Sequence, residues 1–198
     1  MNTNIFDALA TEETTTLTRL HRRLALDADA ADVLDVAYRT IDTPVGTLLL
    51  AATTAGLVRV AYDVEGHDAV LAALADRISP RVLRAPARLD SAARQIDEYF
   101  AKRRTVFEVP VDLRLAEGFR RNVIEHLRDI GYGRRESYAA VAAAIGHPRA
   151  VRAVGTACAH NPLPVVIPCH RVVRSDGSTG QYVGGPLAKS TLLDLEAA

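Results

Sequence analysis

Two periodicities divide this chain, and their order confines it to few folds. From Val36 to Tyr62 it reads as strands: Tyr38-Arg39-Thr40-Ile41, then Thr47-Leu48-Leu49-Leu50-Ala51-Ala52, then Leu57-Val58-Arg59-Val60-Ala61-Tyr62. Asp42-Thr43-Pro44-Val45-Gly46 and Ala55-Gly56 separate them, so an antiparallel meander is predicted. Helices are expected over about Asp68 to Ile78, stopped by Ser79-Pro80, and over about Ser91 to Ala101. Val106-Phe107-Glu108-Val109-Pro110-Val111 reads as one more strand. After Glu117 helical spacing takes over: Phe119, Val123, Ile124, Leu127 and Ile130 share one face of a helix ended by Gly131-Tyr132-Gly133.

Strands followed by helices predict an α+β protein. We divide it into a small α/β domain over residues 36–112 and a mainly helical domain over 113–198. Residues 1–35 form an extension, where Leu17, Leu20 and Leu24 suggest a short amphipathic helix. The apolar content of 48% supplies a core, which is aliphatic because the chain has six Tyr, four Phe and no Trp. No apolar run is long enough to cross a bilayer, and Met1-Asn2-Thr3-Asn4-Ile5 lacks the features of a secretory signal, so a cytoplasmic protein without membrane contact is expected.

The second half holds a helix-turn-helix candidate. Ser137 is placed to cap a helix over about Tyr138 to Ile145, Gly146-His147-Pro148 turns the chain, and a second helix runs from about Arg149 to Ala159 before Asn161-Pro162-Leu163-Pro164. That second helix carries Arg149 and Arg152 among small residues, including Ala153 and Gly155, which would let a backbone approach a groove closely. An ordinary helical hairpin packed on a core is the competing reading. The net charge is zero, yet residues 116–198 carry a basic surplus of three. Between Ser137 and Ser175 stand Arg149, Arg152, Arg171 and Arg174 with no acidic side chain, so a phosphate backbone would meet no repulsion there.

Only two cysteines occur, Cys158 and Cys169, and in a reducing compartment both should be free thiols. Val165-Val166-Ile167 reads as a buried strand leading into Pro168-Cys169-His170-Arg171. These surroundings are electropositive and predict a lowered pKa for Cys169. Neighbours in an extended segment point apart, so His170 reaches the sulfur only if the chain bends or a water bridges them, and a relay with a carboxylate behind the ring is expected rather than a direct pair. Glu196 is one candidate for that carboxylate, though spacing alone does not select it. Cys158 reads as a small packed residue. A zinc site built from Cys158, His160, Cys169 and His170 matches no ordinary ligand spacing, and no metal or cofactor is expected.

Ser137-Tyr138, Arg152-Ala153-Val154-Gly155, Asn161-Pro162, Ile167-Pro168-Cys169-His170-Arg171-Val172-Val173, Gly180-Gln181-Tyr182-Val183-Gly184-Gly185 and Lys189 with Leu192-Leu193 and Glu196 together resemble the O6-alkylguanine-DNA alkyltransferase family. The resemblance is strongest over about residues 116–198. It extends weakly to Val36 through Thr43-Pro44-Val45-Gly46-Thr47-Leu48, Tyr99-Phe100 and Phe107 to Leu113. It implies a ribonuclease H-like first domain and a helix-turn-helix that docks in the minor groove of double-stranded DNA. Arg152 would take the place of an extruded guanine, with Ala153, Gly155, Arg149 and Arg171 also on the DNA side.

The family further implies that Tyr138 donates toward a ring nitrogen of the leaving guanine, that the Val183 backbone N–H meets O6, and that the Cys169 and Val172 carbonyls read the exocyclic amine. Tyr182 and Lys189 complete the base pocket, Asn161 ties the recognition helix to the active-site turn, and Cys169, His170 and Glu196 form the relay. The implied activity is single-use transfer of an alkyl group from O6-alkylguanine, with O4-alkylthymine a second candidate, to Cys169 of a monomeric protein. Departures from the family pattern fall at Arg120, Ile124, Gly131, Arg134 and Val183. The alternatives are a sensor that binds alkylated DNA without repairing it, and a regulator switched by methylation of Cys169.

Overall fold

The computed structural model describes the backbone of residues 5–197 and the side chains of residues 15–197. Its elements run α1 (Ile5–Ala30), β1 (Val36–Thr43), β2 (Gly46–Thr53), β3 (Gly56–Tyr62), α2 (His67–Arg77), β4 (Val82–Arg84), α3 (Asp90–Phe100), α4 (Gly118–Leu127), β5 (Glu136–Ser137), α5 (Tyr138–Ala144), α6 (Val151–Ala159), β6 (Val172–Val173) and α7 (Gly185–Glu196). The α+β class is borne out. A four-stranded sheet in the order β3-β2-β1-β4 forms the first half, antiparallel except where β4 joins β1 in parallel, and helices fill the second half.

The unbroken apolar run of β2 is explained by burial on both faces. Leu48 and Leu50 point to one side, where they join Ile96 and Tyr99 of α3 and a core continuing into Ile124, Leu127 and Leu163; Leu49 and Ala51 point to the other, against Val70 and Leu74 of α2. One core thus joins both halves. The Val60 N–H donates to Pro162 O at 2.8 Å, adding a backbone link just upstream of the cysteine segment.

Three elements differ from expectation. Residues 106–111 make a single parallel bridge, Leu57 to Val111, rather than a strand. Pro110 has no N–H to give a ladder, Glu108 N donates instead to the Gln95 side chain at 2.8 Å, and Val106 lies in solvent. Residues 165–167 form a turn closed by Ile167 N on Leu163 O at 2.8 Å, not a strand. The first helix is long rather than short, with 26 residues. Its Leu17, Leu20 and Leu24 remain exposed, and it is anchored at its end by Ala25, in a small cluster with Leu34, Ala37 and Ala85, and by an ion pair between Asp29 and Arg88.

In the second half the capping expectation holds, since Ser137 Oγ accepts from Ala140 N at 3.1 Å. The turn between α5 and α6 closes through Gly146, at φ +79°, with His147 N on Ala142 O at 2.8 Å, a left-handed cap that a Cβ would strain. On α6, Val154, Ala157 and Cys158 are buried while Arg152, Ala153 and Thr156 face solvent, so the arginine and the small residues share the outer face.

Candidate active site

The segment around Cys169 is shaped by its proline. Pro168, at φ −82° and ψ 61°, centres a tight turn in which Cys169 N donates to Ile167 O at 2.8 Å, and Cys169–Arg171 then form one turn of 3-10 helix. Of the two routes open to His170, a bend in the chain is thus present. Val165, three residues before the turn, sits at φ +72°, a conformation that a β-branched residue adopts only when its surroundings force it. Asn161, just past the end of α6, locks this bend: its Nδ2 donates to Ile167 O at 2.8 Å, its Oδ1 accepts from Leu163 N at 3.0 Å, and its side chain also hydrogen-bonds Cys169.

Behind the cysteine lies a closed polar network. His170 is fully buried, and its Nε2 is 3.0 Å from Glu196 Oε1. Arg171 forks the same carboxylate, Nη2 to Oε1 and Nε to Oε2, each at 2.8 Å, and also donates to Ile130 O. Tyr99 donates to Oε1 at 2.7 Å and Gly133 N to Oε2 at 3.2 Å. Burial alone would push the Glu196 pKa up, but the hydrogen bonds from His170 and Arg171 overcome it and hold the group down at about 2. Glu196 is then an anion with no proton to give, so His170 Nε2 must be the donor. The acceptor on the neutral ring is Nδ1, which is buried and has no protein partner among the described residues.

Electrostatics overturn one expectation. Burial pushes the Cys169 thiol up to about 11, outweighing the hydrogen bond from Asn161 and the charge of Lys189 that favour the thiolate, and the side chain is only 2% exposed. Burial also lowers the His170 pKa. The resting pair is a neutral thiol and a neutral imidazole, with the orphaned nitrogen available as base. Sequence reasoning counted nearby cations but had no measure of desolvation, which dominates here.

A second correction concerns Arg171, placed on the DNA side from its charge. It is buried, committed to Glu196 and lies 5.9 Å under the Tyr132 ring, so it cannot reach a phosphate. Arg149, Arg152 and Arg174 remain exposed.

The other expected residues gather around the sulfur. Tyr138, Tyr182, Lys189 and Cys158 all lie near enough to Cys169 that a thiolate there would act on each of them. Pairing of β5 with β6 holds Tyr138 beside Val173, its hydroxyl against Gly180 and its ring 5.8 Å from Lys189 Nζ. Lys189 is fully buried and donates to Val172 O at 2.6 Å, while Cys169 O accepts from Val172 N, so each carbonyl expected to read a base has one lone pair already used. Val183 is half-buried beside Tyr182, whose hydroxyl lies 3.0 Å from that of Tyr62.

Of the departures, Ile124 is fully buried in the core and Arg120 lines the cleft between the two halves. Gly131 and Arg134 bracket Gly133, which sits at φ +68° against Glu196. Tyr62, Tyr99 and Gly133 were not foreseen. In the sequence Tyr62 closes a strand, Gly133 ends a helix and Tyr99 belongs to a segment of weak resemblance, and nothing in these patterns ties them to the cysteine.

A sheet domain sharing its core with a helix-turn-helix, and a buried cysteine backed by a histidine and a carboxylate, define a DNA-binding group-transfer protein. Comparison with known proteins agrees. Residues 36–113 match the ribonuclease-like domain, and residues 118–198 the DNA binding domain, of 6-O-methylguanine DNA methyltransferase. The methylated-DNA–protein-cysteine methyltransferase of Mycolicibacterium paratuberculosis is 37% identical over 161 residues, covering 81% of this chain and 92% of its own. The crystal structure of Mycobacterium tuberculosis O6-methylguanine methyltransferase superposes with a TM-score of 0.72 at 36% identity, covering 82% of this chain and 93% of its own. That of Mycobacterium tuberculosis OGT in complex with DNA gives 0.70 at 36%, covering 81% and 92%.

The chain belongs to the 6-O-methylguanine DNA methyltransferase family. It is a DNA-binding repair protein acting by direct reversal through alkyl transfer.

Proposed function

We propose that Cys169 is the alkyl acceptor and O6-alkylguanine in double-stranded DNA the substrate. The observation that carries this is the unpartnered Nδ1 of His170, one residue from a buried thiol and backed by a carboxylate that cannot itself take the proton. At a pKa of about 11 the resting thiolate is only about one molecule in ten thousand at neutral pH, so deprotonation has to accompany attack. The Cys169 proton passes to Nδ1, through a water where the two do not touch, as sulfur bonds to the alkyl carbon. The bond from that carbon to O6 breaks, and its electrons leave on guanine. Tyr138 donates toward the purine, and the proton taken up by His170 ends on the released base. The product is a thioether with nothing in the reaction to reverse it, so each chain acts once.

The exposed Arg152 and the small residues Ala153 and Gly155 support docking of α6 in the minor groove, with Arg152 filling the gap left by the extruded base. Arg149 lies alongside for phosphate, while Tyr182, Val183, Val172 and Lys189 bound the base pocket. We read the working unit as a monomer, with catalysis in residues 113–198 braced by residues 36–112. A sensor that only binds alkylated DNA would leave the thiol and the orphaned imidazole nitrogen without a task.

Incubation with a duplex carrying labelled O6-methylguanine should load one methyl per chain and then stop. Continued turnover, or binding without transfer, would count against the proposal. For the arginine, Arg152→Ala should slow transfer from duplex DNA by about 10- to 100-fold, because the flipping cost of a few kcal/mol is no longer offset, while reaction with free O6-benzylguanine changes little. Equal losses on both substrates would remove Arg152 from the flipping step.

A further inference from the structure

Glu196 is reached from the other half of the molecule. Tyr99, in the last turn of α3, is fully buried with its ring among Phe100 and Phe107, each centred 5.3 Å away, and Tyr132 at 6.1 Å. Those contacts need an aromatic ring but no hydroxyl. The hydroxyl makes the shortest of the bonds that reach the Glu196 carboxylate, 2.7 Å, and lands on Oε1, the oxygen that also receives His170 Nε2 at 3.0 Å.

We propose that Tyr99 is a positioning residue for alkyl transfer: given the relay role proposed for Cys169, His170 and Glu196, its hydroxyl fixes the carboxylate and draws charge from Oε1, so that His170 stays the neutral acceptor of the Cys169 proton. Donors sharing one oxygen compete for its electron density, so a carboxylate engaged by Tyr99 attracts an imidazole proton less strongly. The groups facing His170 are Glu196 and Lys189 from α7, Arg171 from its own turn beside Cys169, and Tyr182 from the segment before α7 with Tyr62 of β3 behind it, while Tyr99 of α3 reaches the Glu196 carboxylate and Tyr132, from the loop after α4, donates to Leu195 O. Glu196 is the one carboxylate among these. A group controlling its charge therefore controls the protonation of His170, and Tyr99 does so without touching the reacting atoms.

The sign follows from the base role. Transfer needs the neutral ring, so the rate falls as pH drops through the His170 pKa. Tyr99→Phe returns charge to Oε1, raises that pKa and moves the fall to higher pH.

Single-turnover methyl transfer from an O6-methylguanine duplex, followed by protein mass between about pH 4.5 and 9 so as to include a limb that burial sets below the ordinary imidazole range, tests this. Tyr99→Phe should shift the acid limb upward by about half to one pH unit, giving rates roughly 3- to 10-fold below the unmodified protein on that limb and within about twofold above pH 8. Incorporation of 3,5-difluorotyrosine at position 99, a stronger donor of the same shape, should move the limb the opposite way, and it serves where the phenylalanine variant folds poorly. Superposed profiles, or one constant loss at every pH, would reduce Tyr99 to a brace and overturn the proposal. If the unmodified protein gains no methyl on Cys169, the relay falls and this role with it; a methylated protein with unmoved profiles sinks the role alone.

Discussion

Glu196→Gln should lower the melting temperature by about 10 °C and abolish measurable alkyl transfer, although position 196 touches no substrate. The carboxylate is 5% exposed and accepts from Tyr99, His170, Arg171 and Gly133. Every partner is a donor, so whichever way an amide is turned, its NH2 faces another donor. The Arg171 guanidinium would be left buried without its counter-charge. Breaking a buried ion pair from one side costs about 3–5 kcal/mol, which for a chain of this length is a shift of the size given.

Linkage provides an independent figure. A carboxylate held near 2, against about 4.5 when unfolded, contributes about 3 kcal/mol to stability. Because the folded pKa is the lower one, that contribution is complete above pH 4.5 and is lost as the pH falls toward 2. The stability gap between the unmodified protein and Glu196→Gln should therefore close over the same interval. Thermal melts at neutral pH and near pH 3 test both statements, and a gap that stays constant with pH would show that the charge of Glu196 is not what stabilises the fold.

Cys169→Ala should lose alkyl transfer completely while keeping the fold. The sulfur occupies a small buried space and, apart from its bond with Asn161, carries no part of the Glu196 network, so truncation should cost only about 1–2 kcal/mol. Affinity for an O6-methylguanine duplex should stay within about threefold, because the groups placed on the DNA side lie on α6 or, as Arg149 does, just before it. Cys158→Ala provides the contrast. Burial raises the Cys158 pKa still further, and its side chain packs in the core, so transfer should continue at close to the normal extent. Loss of transfer in both variants, or retention in Cys169→Ala, would move the chemistry away from the proline-framed cysteine.

Much of this architecture is legible in the chain because it depends on local pattern. Periodicity and punctuation mark β1 to β3, α2 and α3, and a serine three residues before a capped N–H marks the start of α5. What escapes is set by tertiary neighbours. Val106 to Val111 has strand composition, but the Glu108 N–H is taken by the Gln95 side chain and Pro110 has no N–H to give a ladder. The segment 165–167 is apolar because it is buried, not because it is extended, and the left-handed Val165 has no sequence signature. Charge misleads most. Arg171 looks like a phosphate ligand and is instead the counter-ion of Glu196, since only the fold brings residues 25 apart into contact. Counting cations likewise predicts an acidic thiol, whereas burial makes Cys169 a weak acid whose proton must be removed during the reaction.

The most direct measurement is the mass of the peptide containing Cys169, recovered after the protein meets a duplex bearing a single O6-methylguanine. The structure and chemistry described here predict that this peptide gains one methyl group on sulfur, that the peptide containing Cys158 gains none, and that the duplex is left with plain guanine. A methyl found on any other residue, or an unaltered Cys169 beside repaired DNA, would contradict them.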